Sequence, residues 1–152
     1  MNRASGFTLI EILIAMVILS VGLLGLAGMQ TTVLKNNQSA YHRSLATQLA
    51  YDIADRIRAN LDDANKLAAS TYTTMHLEDA GDQSDCLSVS STCTTADMAE
   101  NDLYEWNQAL AALPSGQGSV TVVAATRTFT VTITWDDNRD GDDPNFQMSF
   151  QI

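Results

Sequence analysis

Between Glu11 and Lys35 the chain carries no charge, and Ile12 to Val33 is predominantly apolar. As a helix those 22 residues would span roughly 33 Å, enough to cross a bilayer. Few architectures accommodate such a run. A secretory signal peptide has a shorter apolar core of about 7–15 residues and a small-x-small cleavage site behind it. This core is too long, and Glu11 stands at the wrong place, its start. A plain membrane anchor fits the length but gives no reason for a carboxylate at its mouth. A charge in the hydrocarbon region costs about 3 kcal/mol on insertion scales, and intramembrane carboxylates are generally paired. Glu11 is therefore a functional candidate that requires a cationic partner.

Arg3 and the initiator amine lie on the N-terminal side of the run. Positive charge stays cytoplasmic, so everything after the span is expected outside the inner membrane. Gly22, Gly25 and Gly28 recur every three residues and stay near one helix face. Small residues there permit close helix–helix approach, while ordinary glycine tolerance in membrane helices explains them equally well.

The run Gly6-Phe7-Thr8-Leu9-Ile10-Glu11, behind a short leader containing Arg3, resembles the class III signal of type IV pilins and type II secretion pseudopilins. The resemblance implies cleavage by prepilin peptidase between Gly6 and Phe7 and N-methylation of the new Phe7 amine. It also supplies a partner for Glu11, namely the Phe7 amine of a neighbouring subunit. Burying such a pair is tolerable because neither charge is left alone. The stretch Tyr51-Asp52-Ile53-Ala54-Asp55-Arg56-Ile57-Arg58-Ala59-Asn60, following Gly22-Leu-Leu-Gly25, is similar to PilV-type minor pilins, the type IV pilus modification proteins, and also to the minor pseudopilin I of type II secretion. Major pilins often carry a kinking proline near the position of Gly28. This span has none, which speaks against a bulk filament subunit.

Past the span, Leu45, Leu49, Ile53, Ile57 and Leu61 recur at intervals of four with Ala46, Ala50 and Ala54 beside them, so the helix is expected to continue to about Leu61 with an apolar stripe. Asp52 and Arg56 stand at i,i+4 in the favourable acid-first order. Residues 62–94 are rich in Asp, Ser, Thr and Ala without periodicity and read as a long loop region. Within it, Cys86 and Cys93 read as a disulfide in an oxidising compartment. A metal pair is the alternative, and it lacks histidines, since His42 and His76 are isolated in sequence. Thr95 is the expected cap of a second helix whose Leu103, Trp106, Leu110 and Leu113 fall on one face, and Pro114 and Gly116 end it. Trp106 is then a core residue. Ser119–Ala125, Thr128–Trp135 and the Phe146, Met148, Phe150, Ile152 series alternate with period two and predict three antiparallel strands.

The expected fold is α+β and pilin-like, a long N-terminal transmembrane helix packed on a small antiparallel sheet. Its divisions are a leader over 1–6, a membrane half of the helix over 7–33, a periplasmic half over 34–61 and a globular head over 62–152 with the disulfide loop, a short helix and the strands. Beyond residue 66 only Arg127 and Arg139 are basic, against 13 acidic residues, within a chain of net charge −10. Such a head repels nucleic-acid phosphates, so no nucleic-acid partner is expected; the acidity mainly serves solubility.

In the loop before the last strand, Asp136, Asn138, Asp140 and Gly141 fit the first half of a calcium loop, with Asp142 a further oxygen donor. Gln147 stands where a bidentate Glu belongs, and Pro144 interrupts, so a solvated hairpin loop is the preferred reading. No nucleophile pattern or phosphate-cradling glycine loop occurs, and neither enzymatic activity nor a cofactor is expected.

The resemblance implies a minor pilin of the inner membrane and then of the cell-surface pilus. It would prime assembly and support twitching and adhesion, with other minor and major pilins, prepilin peptidase and the pilus assembly platform as partners. A type II secretion minor pseudopilin is the structural rival. A tip adhesin or DNA-uptake receptor is the rival of another class.

Overall fold

The computed structural model describes residues 8–88, 92–137 and 144–152. One helix, α1, runs from Leu9 to Ala59 without interruption at its glycines. The chain divides into two units, one up to Ala40 and one from Tyr41 to Ile152. In the first, every described residue is exposed. Its best window reaches a mean hydropathy of 2.7 with none of it buried inside the chain. A helix apolar all round has no stable place in water and requires lipid or other helices around it.

In the second unit α1 is amphipathic. His42, Ala46, Leu49, Ala50, Ile53, Ala54 and Ile57 are buried, at steps of three, four and one that trace one face. Leu61, expected on the same stripe, is 47 % exposed. The backbone leaves helical geometry at Asn60 (φ −103°, ψ 58°), which turns the chain before Leu61 can join that face.

The segment read as a long loop is a chain of short turns: α2 (Leu61–Ala64), α3 (Thr71–Thr74) and single 3-10 turns at Leu67–Ala69, Leu77–Asp79 and Ser84–Leu87. Then α4 runs from Thr95 to Leu110. Its N-cap is Thr94, one residue before the expected Thr95. The Thr94 hydroxyl accepts from the Asp97 N–H, and the Asp97 carboxylate accepts from the Thr94 N–H, a reciprocal capping box. These bonds from the Thr94 backbone and hydroxyl hold the Asp97 carboxyl below the usual range.

The sheet is an antiparallel meander, β1 (Gln117–Val123), β2 (Thr128–Thr134) and β3 (Asn145–Gln151), in the order β1-β2-β3. Val131 faces Val120 on one side and Met148 on the other. The first strand starts and ends two residues earlier than its alternation suggested, because Ala124–Arg127 form the turn, closed by Arg127 N–H donating to Ala124 O with Arg127 at φ 53°. Phe129, Val131, Ile133 and Trp135 are buried, and they join Ile53, Ile57, Leu103 and Trp106 in one core. This is an α+β, pilin-like fold, a long apolar N-terminal helix with a three-stranded antiparallel head.

Glycine matters most at Gly118. A Cβ there would lie 2.5 Å from the Trp106 ring and 2.8 Å from Leu110 Cδ1, so the strand can approach α4 only without a side chain.

Candidate assembly site

Gly6 and Phe7, the expected cleavage pair, lie outside the described residues. Immediately after them, Thr8 precedes α1 and Glu11 sits in its first turn. Glu11 Oε2 accepts from the Thr8 N–H at 3.2 Å and from the Thr8 hydroxyl at 3.2 Å. The first N–H groups of a helix have no intrahelical acceptor, and a carboxylate three residues on from a threonine is one standard way to cover the capping residue's own N–H. The carboxylate also opposes the positive end of the helix dipole. Sequence reasoning treated Glu11 only as a charge awaiting an external partner. The Thr8-x-x-Glu11 spacing was the signal for this local role.

Both bonds end on Oε2, so a second donor can approach Oε1. Glycines 22, 25 and 28 have nothing within 4 Å of where a Cβ would be. No contact within the chain requires them to be small. The exposed face from Leu9 to Val33 thus combines a carboxylate at one end, apolar side chains, and glycines that admit close approach.

Polar groups in the head are arranged differently. Arg56 Nε donates to Asp52 at 3.0 Å, as its spacing suggested, while Nη1 reaches Asp102 at 3.1 Å and Glu105 at 2.6 Å on α4. Asp102 also accepts from the Tyr72 hydroxyl at 2.5 Å, and Asn60 Nδ2 donates to Tyr72 Oη and Thr95 O. Burial, more than these bonds relieve it, raises the Asp102 carboxyl above its ordinary range. Burial first and then Asp102 push the Tyr72 phenol upward, so it stays a donor. This network pins the end of α1 to α3 and α4. A hollow of about 430 Å³ opens beside it, walled by Cys86 and Cys93. Its Arg56, Asn60 and Asp102 side chains are all engaged within the chain.

Asp63 is fully buried between Lys66 Nζ (2.7 Å), Ser70 Oγ (2.7 Å), Thr71 N (2.8 Å) and Thr71 Oγ1 (3.2 Å). Neither this hub nor the His42 link was foreseen. His42 Nδ1 lies 2.5 Å from Asp137 Oδ1, which also accepts from Trp135 Nε1 at 2.9 Å. The two residues of each contact are too far apart in sequence, or too lacking in periodicity, to announce themselves.

Cys86 and Cys93 form a disulfide across seven positions. Closing a loop of about eight residues removes roughly 2.5 kcal/mol of unfolded-state entropy in the chain-entropy account. Replacing both by serine should lower the thermal midpoint by roughly 10 °C, read by circular dichroism with and without reductant. Among the described residues no group of three or more His, Cys, Asp or Glu is placed to hold a metal ion. Of the calcium-loop candidates, Asn138, Asp140 and Asp142 lie outside the described residues, and the Asp136 N–H donates to Pro114 O.

Comparison with known families covers the chain as far as residue 104. Residues 1–27 match the prokaryotic N-terminal methylation motif, which takes in Gly6, Phe7 and Glu11. Residues 28–104 match the type IV pilin Tt1218 family, covering the amphipathic part of α1, the turns with the disulfide and most of the first part of α4. No curated protein matches the chain, and no solved structure does. With half of its length matched to that family and its N-terminus matched to the methylation motif, the chain belongs to the type IV pilin Tt1218 family.

Proposed function

We propose that this pilin is a minor subunit of a type IV pilus, processed between Gly6 and Phe7, which helps initiate assembly and enters the filament. It would lie first in the inner membrane with its N-terminus cytoplasmic and its head periplasmic. The observation that carries the reading is the position of Glu11, a single carboxylate at the mouth of a helix that is charge-free to Val33 and wholly exposed in the isolated subunit. In the filament the apolar face is covered by neighbouring helices, and Glu11 receives the Phe7 amine of the next subunit. That amine exists only after cleavage, so processing and docking are linked. Because Oε2 already serves Thr8, the incoming amine adds a bond at Oε1 and the helix keeps its cap.

The minor-subunit assignment is supported by the span's lack of proline and by the PilV-like stretch Tyr51–Asn60. Twitching and adhesion follow as consequences of pilus assembly. The secretion pseudopilin remains the rival, and the genes beside this one discriminate, pilin-operon neighbours supporting the pilus.

Two variants test the reading. Gly6→Leu should leave the leader attached, and a mature-length mass would refute the cleavage position. Glu11→Ala should be cleaved normally yet appear in sheared filaments at roughly a hundredfold lower level, since stranding one member of a buried pair costs about 3–5 kcal/mol. Filament incorporation equal to the parent would sink the pairing.

A further inference from the structure

The acidity of the chain is unevenly spread. Of its 18 acidic residues only Glu11 precedes Asp52, so residues 12–51 hold no carboxylate side chain. That stretch does hold two cations, Lys35 and Arg43. Elsewhere cations are met from within the chain. Arg56 pairs with Asp52, Asp102 and Glu105, Arg58 with Asp55, and Lys66 with Asp63. Arg127 donates to Ile152 O and to Asn65. Lys35 and Arg43 are both exposed, and neither has an ion-pair partner among the described residues.

Their place along α1 says what they can meet. Lys35 stands two residues past Val33, about 3 Å along the helix axis. The hydrocarbon core of a bilayer is about 30 Å thick and the whole bilayer about 40–45 Å, so a headgroup layer of roughly 5–7 Å borders each side. Within the run polar groups are satisfied by the helix itself, as where the Thr31 hydroxyl donates to Gly28 O at 2.8 Å. Lys35 is the first charged side chain beyond it, at the depth of the lipid phosphates. Arg43 follows roughly two turns later. The field of a charged leaflet reaches about 8–10 Å into the solvent and still acts there. A second copy crossing the same bilayer in parallel would bring to Lys35 its own α1, which is free of acid from Ile12 to Tyr51. The anion that lies at the right depth is the lipid's.

We propose that Lys35 and Arg43 bind anionic phospholipid headgroups of the leaflet from which α1 emerges. The Lys35 ammonium contacts the lipid phosphate, and Arg43 adds attraction from above it. Such lipids hold the subunit in the bilayer and are given up when it leaves. The inference rests on the reading of Ile12–Val33 as a membrane span and does not require the pilus assignment.

The test places the full chain, one copy per disc, in nanodiscs of phosphatidylcholine and phosphatidylglycerol in equal parts. Lipids retained on the released chain are then counted by native mass spectrometry. A cation near a charged surface gives about a fivefold preference, so phosphatidylglycerol should outnumber phosphatidylcholine by roughly fivefold or more. Lys35→Gln with Arg43→Gln should return the two lipids to equal numbers, while Lys35→Arg keeps the preference. Neither side chain serves the core, so the thermal midpoint of the double variant should stay within a few degrees of the parent. Equal retention by the parent overturns the proposal, as does a preference that survives the double variant. A preference confined to discs holding two chains would place the lipid between copies and overturn its assignment to the single helix. Protease cleavage within Ile12–Val33 in the discs would overturn the span reading and the proposal with it, whereas a protected span without lipid preference overturns the headgroup assignment alone.

Discussion

Trp106→Ala lowers the unfolding free energy of the Tyr41–Ile152 unit by about 4 kcal/mol, a cost at the middle of the range for emptying a buried aromatic position. Three circumstances place it there. The side chain is 1 % exposed, so the whole indole leaves a cavity. Gly118 sits against the ring, and a glycine has no side chain with which to refill the space. The indole N–H also donates to Leu49 O at 2.9 Å, joining α4 to α1 across 57 positions. A thermal midpoint lower by roughly 15 °C or more, with the urea m-value unchanged, is the expected result. A shift of only a few degrees would mean that the α1–α4 contact collapses to fill the void. Gly118→Leu in the Trp106→Ala background offers a further check, since it should recover part of the loss where Gly118→Leu alone destabilises.

Asp63→Asn should cost about 3 kcal/mol at neutral pH, the low end for breaking a buried charged contact. The carboxylate accepts four hydrogen bonds, and the amide cannot accept all four. Ser70 is fully buried, so its hydroxyl is shielded from the bulk solvent that could otherwise replace Asp63. The pH dependence has a definite sign. Burial opposes the Asp63 charge, but the bonds from Lys66, Ser70 and Thr71 outweigh it and hold the carboxyl below its ordinary value. A depressed carboxyl stabilises the fold above the unfolded pKa of about 3.9, and that contribution is lost as pH falls through the folded value. The gap between parent and variant in urea midpoint should therefore begin to close as pH falls below about 4 and be gone once the folded carboxyl is protonated. Asp102 acts in the opposite sense. Burial raises its carboxyl, so its contribution favours the fold at low pH and declines as pH rises through the folded value. A gap for Asp63→Asn that stays constant with pH would show that the hub works by shape and not by charge.

These two residues also mark what a linear reading can and cannot see. Trp106 was legible because it repeats with Leu103, Leu110 and Leu113 at helical spacing. The strands were legible by their alternation; β1 lies two residues earlier at both ends, its later end set by the turn in which Arg127 is left-handed. The exposed helix was legible from its lack of charge. Asp63 was not, since an acidic residue among Asp, Ser and Thr is the expected composition of a solvated loop. Its burial depends on Ser70 and Thr71 folding back on it, a contact with no period. The His42–Asp137 contact spans 95 positions and depends on how the sheet is laid down. At the candidate assembly site, the cost of its position marks Glu11 out as a candidate. Its service to Thr8 needed the helix start to be fixed first.

The β-meander has a consequence for how the chain is born. Its hairpins are local, so the sheet can form quickly once residues 117–151 are available. The buried stripe of α1, from Ala46 to Ile57, is synthesised first, and Phe129, Val131 and Ile133 follow some seventy or more residues later. At about 5–20 residues per second, several seconds pass in which the stripe is made and its cover is not. Folding of the head is thus last-come, complete only when β3 arrives to close Phe150 over Phe129. Truncation before Asn145 should leave that stripe uncovered, with no cooperative thermal transition by circular dichroism.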